Sequence, residues 1–289
     1  MISSDILKKI REIEITTKRM VSSARVGDAQ SALKGSGFDF DQIRDYQMGD
    51  DIRAIDWKSS ARANKLLIKQ YSEERCRTII LAVDISSSHI FASGSQLKSD
   101  GMLEIATMFA LVAGQTKDSV GLLLFSDDVE LFIPPGSGMP HIHTLITRMY
   151  NHHKRSSKTA IASACQRIAT LPFKNSIVFL LSDFIDEGFE KSLRIVAHQH
   201  DLVAVRCLDT REKSLLPIGF ITVQDSESGQ EYLLDLRSRG SKRIEQHLSK
   251  RLQEQTTFLQ QAGVSILDIE IGRPFFGDIV QFFRKRMLQ

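Results

Sequence analysis

The sequence predicts an α/β fold, a doubly wound and mostly parallel sheet, with an N-terminal helix and extension ahead of it. Six apolar segments of strand length follow one another between residues 78 and 270, and helical patterns separate most of them. The segments are continuous apolar runs rather than alternating ones, as expected when helices cover both faces of a sheet. Strands that alternate with helices in this way are typical of a parallel, Rossmann-like sheet.

Each element is predicted from its own pattern. Apolar residues at helical spacing predict an amphipathic helix over 4–25, and the stretch "KLLIKQY" (65–71) predicts a strand in the extension. The strands of the sheet are predicted at 78–85, 119–125, 129–133, 176–182, 202–208 and 264–270. Helices are predicted at 101–116, 140–150, 158–170, 188–198, 241–262 and 273–287, with an inserted hairpin near 218–236.

Composition limits the class of function. Lys and Arg total 38 against 35 Asp and Glu, and this net charge of +3 is too small to favour nucleic acid as the main partner. Three cysteines without a CxxC pair predict reduced, buried thiols rather than a disulfide framework. No apolar stretch reaches the ~20 residues of a membrane span. We therefore expect a cytoplasmic protein with no transmembrane segment.

The stretch "LAVDISSSHIF" places polar oxygens where the first strand of the sheet ends. Asp84, Ser86 and Ser88 alternate along the chain, so their side chains can face one side. For strand order 3-2-1-4-5-6 the neighbour across the switch point is the fourth strand, which also ends in a carboxylate, Asp183. An all-oxygen ligand set suits Mg²⁺ or Mn²⁺, whereas the alternative is a loop or helix cap.

The order DxSxS ("DISSS"), a later Thr in "SSKTAIASA" and a later Asp in "SDF" resembles the metal-ion-dependent adhesion site of von Willebrand factor A-type domains. The resemblance implies a metal shell in which hydroxyls coordinate directly and the Asp groups act partly through water. Carried over to this chain, that shell is Asp84, Ser86, Ser88, Thr159 and Asp183. The loop before Thr159 lacks the Gly pair often found there.

The stretch "GSGFDFDQIRDYQMGDDIRAIDWKSSARANKLLIKQYSEE" closely resembles the bacterial domain-of-unknown-function-58 family. That resemblance implies a von Willebrand A-type domain with an N-terminal extension and a MoxR-type AAA+ ATPase as partner. It places the extension with the GDDxRxIDW signature at residues 1–77 and the von Willebrand A-type domain, with its hairpin near 218–236, at 78–289.

The signature residues allow two roles, a loop scaffold or a partner-binding surface. As a scaffold, Asp and Arg would pair across a folded loop and the single Trp would supply buried area. As a binding surface, the same loop would rim the metal crevice. The residues concerned are Tyr46, Asp50, Asp51, Arg53, Asp56, Trp57 and Arg62.

Three functions follow from these patterns. The favoured one is an adapter that is not an enzyme, in which Mg²⁺ or Mn²⁺ captures an Asp or Glu of a protein partner. The second is an Mg²⁺- or Mn²⁺-dependent hydrolase of phosphoesters, and the third is an interaction protein with a vestigial site. A histidine cluster (His141, His143, His152 and His153) is interpreted as an adventitious surface feature, with zinc binding or pH sensing as the alternatives.

Overall fold

The computed structural model describes residues 38–47, 50–73, 77–86, 98–153, 156, 158–208, 219–224, 231–235 and 238–287. The predicted helix over 4–25 lies outside these residues, as do Ser88 and Cys76. Within them the strands are β1 (Phe38–Asp45), β2 (Leu67–Glu73), β3 (Thr78–Asp84), β4 (Ser119–Phe125), β5 (Val129–Gly136), β6 (Ile177–Ser182), β7 (Asp201–Leu208), β8 (Phe220–Gln224), β9 (Glu231–Asp235) and β10 (Ser265–Glu270).

The described helices follow the predicted order. After a 3-10 turn (Ile52–Ala54) they are α1 (Trp57–Ala63), α2 (Lys98–Gln115), α3 (Met139–Tyr150), α4 (Ile161–Ala169), α5 (Glu190–Gln199), α6 (Ser238–Gln261) and α7 (Phe276–Met287). None of the helices in the described part of the chain combines the length and the apolar character that crossing a bilayer requires.

The central sheet has six strands in the order β10-β7-β6-β3-β4-β5. All neighbouring pairs are parallel except β4 and β5, which form an antiparallel hairpin edge. In chain order this is the predicted 3-2-1-4-5-6 arrangement, so the doubly wound α/β prediction is confirmed. The order reverses between β3 and β6, and ligand sites in open α/β sheets lie beyond the carboxyl ends of such a pair.

Helices cover both faces of this sheet, which is why its strands are apolar throughout. Helices α2, α3 and α7 pack on one face, and each contributes a buried isoleucine to the core there: Ile105, Ile142 and Ile279. The other carries α4, α5 and α6, whose buried residues include Ile161 and Leu259. The buried thiols of Cys165 and Cys207 fit the predicted reduced state, and burial raises the pKa of Cys165 to about 12.

Residues 38–73 form a small unit around an antiparallel pair. β1 pairs with β2, and the 3-10 turn and α1 lie between them in the chain. The strand predicted at 65–71 is therefore confirmed with a small shift, whereas β1 was not predicted because its sequence "FDFDQIRD" has too many charges to read as a strand. The predicted hairpin near 218–236 is present as β8 paired with β9.

Candidate metal centre

Two acidic residues stand at the carboxyl ends of the neighbouring strands β3 and β6. Asp84 is the last residue of β3, and Asp183 directly follows β6. The two strands are parallel neighbours with Val83 opposite Leu181, so both chains leave the sheet at the same edge. Both carboxylates are buried. The strand order therefore places both residues at the switch point, and their joint role as metal ligands stays a prediction.

The carboxylate of Asp84 is fixed by two donors. Its Oδ1 accepts the backbone N–H of Ser86 at 3.0 Å, and its Oδ2 accepts the hydroxyl of Ser182 at 2.8 Å. The Ser182 oxygen in turn accepts the backbone N–H of Phe184 at 3.1 Å. Ser182 was missed in the sequence, although its place beside Asp183 at the end of an apolar strand could have marked it. The network holds Asp84 in one orientation.

A third loop contributes Thr159. Its hydroxyl donates to the Ser86 oxygen at 2.7 Å, which joins residues 73 positions apart in the chain. The loop is anchored on either side of the sheet edge: Ala160 donates its N–H to the carbonyl of Ser126 at 2.7 Å, and Ile161 donates its N–H to Asp186 Oδ2 at 2.8 Å. The structure therefore brings Asp84, Ser86, Thr159 and Asp183 to one edge of the sheet.

Asp183 carries a partner that the sequence analysis did not anticipate. Its Oδ1 accepts the backbone N–H of Ile185 at 3.0 Å, and its Oδ2 lies 3.3 Å from Nζ of Lys98. The side chains of Lys98 and Asp183 are 3% and 2% exposed. Lysine is almost never buried to this extent without a paired charge. Lys98 begins α2, where a single basic residue ahead of a long apolar helix was the only available signal.

The backbone turns sharply directly after Asp183. Phe184 has φ of 58°, in the left-handed region that bulky residues rarely adopt. Its side chain is fully buried, and its carbonyl accepts the side-chain N–H of Gln255 at 2.8 Å. Packing and hydrogen bonds on both sides thus hold a strained residue in place, a situation that is concentrated at functional sites.

The donor set fits a small hard cation. Carboxylate and hydroxyl oxygens are the ligands of Mg²⁺ and Mn²⁺. Two oxygens on adjacent octahedral positions of Mg²⁺ lie about 3 Å apart, given metal–oxygen bonds of 2.0–2.1 Å. The hydroxyl oxygens of Thr159 and Ser86 lie 2.7 Å apart, close to that spacing. Within the described residues no group of three or more His, Cys, Asp or Glu side chains is placed to hold a metal ion by itself.

Asp186 adds a half-buried carboxylate beside this edge. Burial is the largest cause of its raised pKa, and the nearby charges of Asp84 and Glu190 also raise it. The N–H groups of Ile161 and Glu187, which it accepts, act in the opposite direction. Asp186 therefore holds the start of α4 but does so at an electrostatic cost.

We expect the stability of Asp186→Asn relative to the wild type to change with pH. The folded-state pKa of Asp186 lies above its unfolded value of about 3.8, so ionisation of this carboxyl costs stability as the pH rises. The amide does not ionise, but its single oxygen can accept only one of the two N–H groups that Asp186 accepts. The melting temperature of the variant minus that of the wild type should therefore be lowest below about pH 4 and rise with pH above it. Thermal unfolding from pH 3 to pH 8 measures this, and a difference that is independent of pH would contradict it.

The histidines do not form one surface cluster. The ring Nε2 of His141 lies 2.8 Å from the carbonyl oxygen of Val120, and His152 Nε2 lies 2.7 Å from Glu130 Oε2. Glu130 Oε1 accepts the hydroxyl of Ser126 at 2.5 Å. His143 and His153 are exposed, as expected. The interpretation as an adventitious surface cluster is therefore wrong for His141 and His152, which make specific contacts with β4 and β5.

The signature residues form their own turn. Asp51 accepts the N–H of Arg53 at 2.9 Å and caps the 3-10 turn. Asp56 accepts the N–H and hydroxyl of Ser59 and caps α1.

The other signature residues divide between hydrogen-bonded and exposed positions. Asp50 accepts the N–H of Gln47 at 2.8 Å, and Tyr46 donates its N–H to the carbonyl of Leu66. Arg53 and Arg62 are exposed. The expectation that Trp57 supplies buried area is wrong, since its side chain is 64% exposed. The carboxylates therefore act as local scaffold, while Trp57 remains accessible.

Several known proteins are similar to this chain. An uncharacterized protein of Mycobacterium tuberculosis, Rv1480, is 25% identical over 284 residues, which is 96% of this chain and 88% of that protein. The uncharacterized protein YeaD of Bacillus subtilis is 41% identical over 49 residues, which is 17% of this chain and 12% of the length of YeaD.

Two solved structures are similar in outline. The crystal structure of the conserved hypothetical protein BatB from Bacteroides thetaiotaomicron has a TM-score of 0.45 and 12% identity, and the match covers 74% of this chain and all of that one. An aerotolerance-related membrane protein from Bacteroides fragilis also has a TM-score of 0.45, with 15% identity over 72% of this chain and 99% of its own. Neither similarity bears on function.

One protein family also matches most of the chain. Residues 42–256, well over half of the 289-residue chain, match the family described as "Protein of unknown function DUF58". This range contains both the GDDxRxIDW turn and the Asp84–Asp183 edge of the sheet. The chain therefore belongs to the DUF58 family.

Proposed function

We propose that this chain is an adapter of the von Willebrand factor A type, which binds a protein partner through Mg²⁺ or Mn²⁺. The observation that supports this most is the hydrogen-bonded group of Asp84, Ser86 and Thr159, which lies at the same edge of the sheet as Asp183. Ser88 is proposed as a further ligand from sequence alone.

The charges of the ligand set favour capture of an acidic group. The hydroxyls of Ser86 and Thr159 carry no charge and the Asp groups of the proposed shell act partly through water, so the direct ligands leave most of the ion's charge unneutralised. A carboxylate of a partner protein is therefore a suitable ligand for an open coordination position. Ile185, 46% exposed and two residues after Asp183, offers an apolar contact beside that position. We propose a MoxR-type AAA+ ATPase as the partner, and complex assembly or maturation as the process.

We expect Mg²⁺ or Mn²⁺ to raise the melting temperature of the metal-stripped wild-type protein and not that of Ser86→Ala. Ligand at 100 times its Kd stabilises the folded state by about 2.7 kcal/mol, which for a chain of this size is roughly 5 °C. Differential scanning calorimetry during metal titration measures the shift.

Ser265→Ala is the matched control, because Ser265 lies at the amino end of β10, at the opposite edge of the sheet. It should respond to metal like the wild type. An equal rise in Ser86→Ala would place the ion elsewhere, and no rise in any of the three proteins would reject the metal site.

A further variant, Asp84→Ala, separates the adapter from the alternative, an Mg²⁺- or Mn²⁺-dependent phosphoester hydrolase. For the adapter, a purified MoxR-type ATPase should bind the wild type in Mg²⁺ at least tenfold more tightly than in chelator, and Asp84→Ala should abolish the difference. Metal-dependent turnover of a phosphoester that Asp84→Ala abolishes would instead establish the hydrolase. Binding that is indifferent to metal would leave the site vestigial.

A further inference from the structure

The ammonium group of Lys98 already occupies part of the candidate metal centre. Its Nζ lies 3.3 Å from Asp183 Oδ2, in a pocket where both side chains are almost completely buried. An ammonium group loses its hydration on burial, which is costly unless a paired charge compensates for it. Asp183 supplies that charge here. The pair thus brings two opposite charges together in a place that is almost closed to solvent.

The same carboxylate cannot serve both cations equally well. A divalent ion bound through Asp183 would lie within a few ångströms of the Lys98 ammonium, and like charges at that distance repel strongly in a buried site. Metal binding therefore has to displace Lys98 from Asp183 or bear this repulsion. Lys98 is the first residue of α2, where the backbone N–H groups have no acceptor within the helix.

We propose that Lys98 is a resident cation of the metal centre: it neutralises Asp183 in the metal-free protein and is displaced when Mg²⁺ or Mn²⁺ binds. The proposal rests on the metal-dependent function proposed above. It assigns two effects to Lys98. The ammonium group lowers the affinity for metal below the value that the oxygen ligands alone would give, and it compensates the charge of Asp183 when no metal is present.

Lys98→Met and Lys98→Arg test this as a pair. Methionine keeps an unbranched apolar stem without the charge, whereas arginine retains the charge. We expect Mn²⁺ to bind metal-stripped Lys98→Met at least tenfold more tightly than the wild type, and Lys98→Arg no more tightly than the wild type. Isothermal titration calorimetry with Mn²⁺ alone gives these affinities without any activity measurement.

A second measurement uses the unaltered protein, in case Lys98→Met does not fold. Acylation of amines, read by mass spectrometry, should leave Lys98 unmodified in the metal-free protein. Modification of Lys98 should rise over the Mg²⁺ range that raises the melting temperature. Lys117, which is exposed just beyond the other end of α2, is the internal control and should react equally with and without metal.

The outcomes separate the two proposals. Equal Mn²⁺ affinity in the wild type and Lys98→Met, or protection of Lys98 that is unchanged by metal, would overturn the role of Lys98 and leave the metal-dependent function standing. Mn²⁺ binding by Lys98→Met that is not detected in the wild type would also support the role of Lys98, because the ammonium would then prevent binding altogether. No binding by either protein would reject the metal centre and the role of Lys98 with it.

Discussion

Asp183→Asn should destabilise the metal-free protein by about 3–5 kcal/mol, the usual cost of breaking a buried ion pair by removing one partner. Asparagine keeps the shape of the side chain and can still accept the N–H of Ile185 through its oxygen. What it loses is the charge that compensates Lys98, whose side chain is 3% exposed. Urea unfolding of metal-stripped wild type and variant measures the difference in free energy of unfolding.

A double-mutant cycle identifies the cause of that loss. If the buried ammonium is the reason, Asp183→Asn combined with Lys98→Met should recover most of the stability, with a coupling energy of about 2 kcal/mol or more. Asp186→Asn is the matched control, since it makes the same chemical change three residues away, at a half-buried carboxyl whose pKa is already raised by burial. A loss below about 1 kcal/mol in Asp183→Asn, or strictly additive effects in the double variant, would show that the pair does not govern the stability of this edge.

The placement of Asp84 and Asp183 at the ends of neighbouring strands could be predicted because it depends only on strand order. Apolar runs of strand length identified β3 and β6, and the topology of doubly wound sheets placed them side by side. No side-chain geometry was needed for that step. The register of β3 against β6, with Val83 opposite Leu181, then makes both strands end at the same level along the sheet.

Lys98 could not be predicted because its role depends on packing, whereas Ser182 had a signal in the sequence, its place beside Asp183, and was missed. Lys98 is 85 positions from Asp183 in the chain, and nothing in "QLKSDGMLEI" distinguishes a buried lysine from an exposed one. Trp57 shows the opposite failure: a large apolar side chain in a charged segment was expected to be buried, yet the small sheet of β1 and β2 leaves it exposed. Whether a side chain is buried depends on how the layers of the fold pack together. A short antiparallel pair of strands has almost no core of its own, so it cannot bury a Trp.

Arg206 is a further buried charge that the sequence left unassigned. It interrupts the apolar strand β7, is 4% exposed, and donates from Nε and Nη2 to the two carboxylate oxygens of Asp268 on β10 at 2.6 and 2.8 Å. Its Nη1 donates to the carbonyl of Leu252 and to the hydroxyl of Thr256 on α6. One guanidinium thus joins the edge strand β10 and the long helix α6 to the sheet.

The two ends of this ion pair differ in exposure, which predicts unequal effects of removing them. Asp268 is 46% exposed and lines a surface cleft of about 390 Å³ with Arg206. Arg206→Met leaves a carboxylate that water can solvate, and Leu252 keeps the hydroxyl of Thr256 as a donor. Asp268→Ala instead leaves the buried guanidinium without its carboxylate, so we expect it to be the more damaging substitution.

We expect Asp268→Ala to cost about 2–3 kcal/mol in free energy of unfolding and Arg206→Met about 1 kcal/mol, values discounted because one partner is half-exposed. Chemical denaturation of both variants and of the double variant provides the comparison, and the double variant should resemble Arg206→Met. The reverse ranking would mean that packing of the long arginine stem, rather than compensation of its charge, holds β10 and α6 against β7. Because this edge of the sheet is distant from Asp84 in strand order, with β6 and β7 between β3 and β10, neither variant should alter the response to metal.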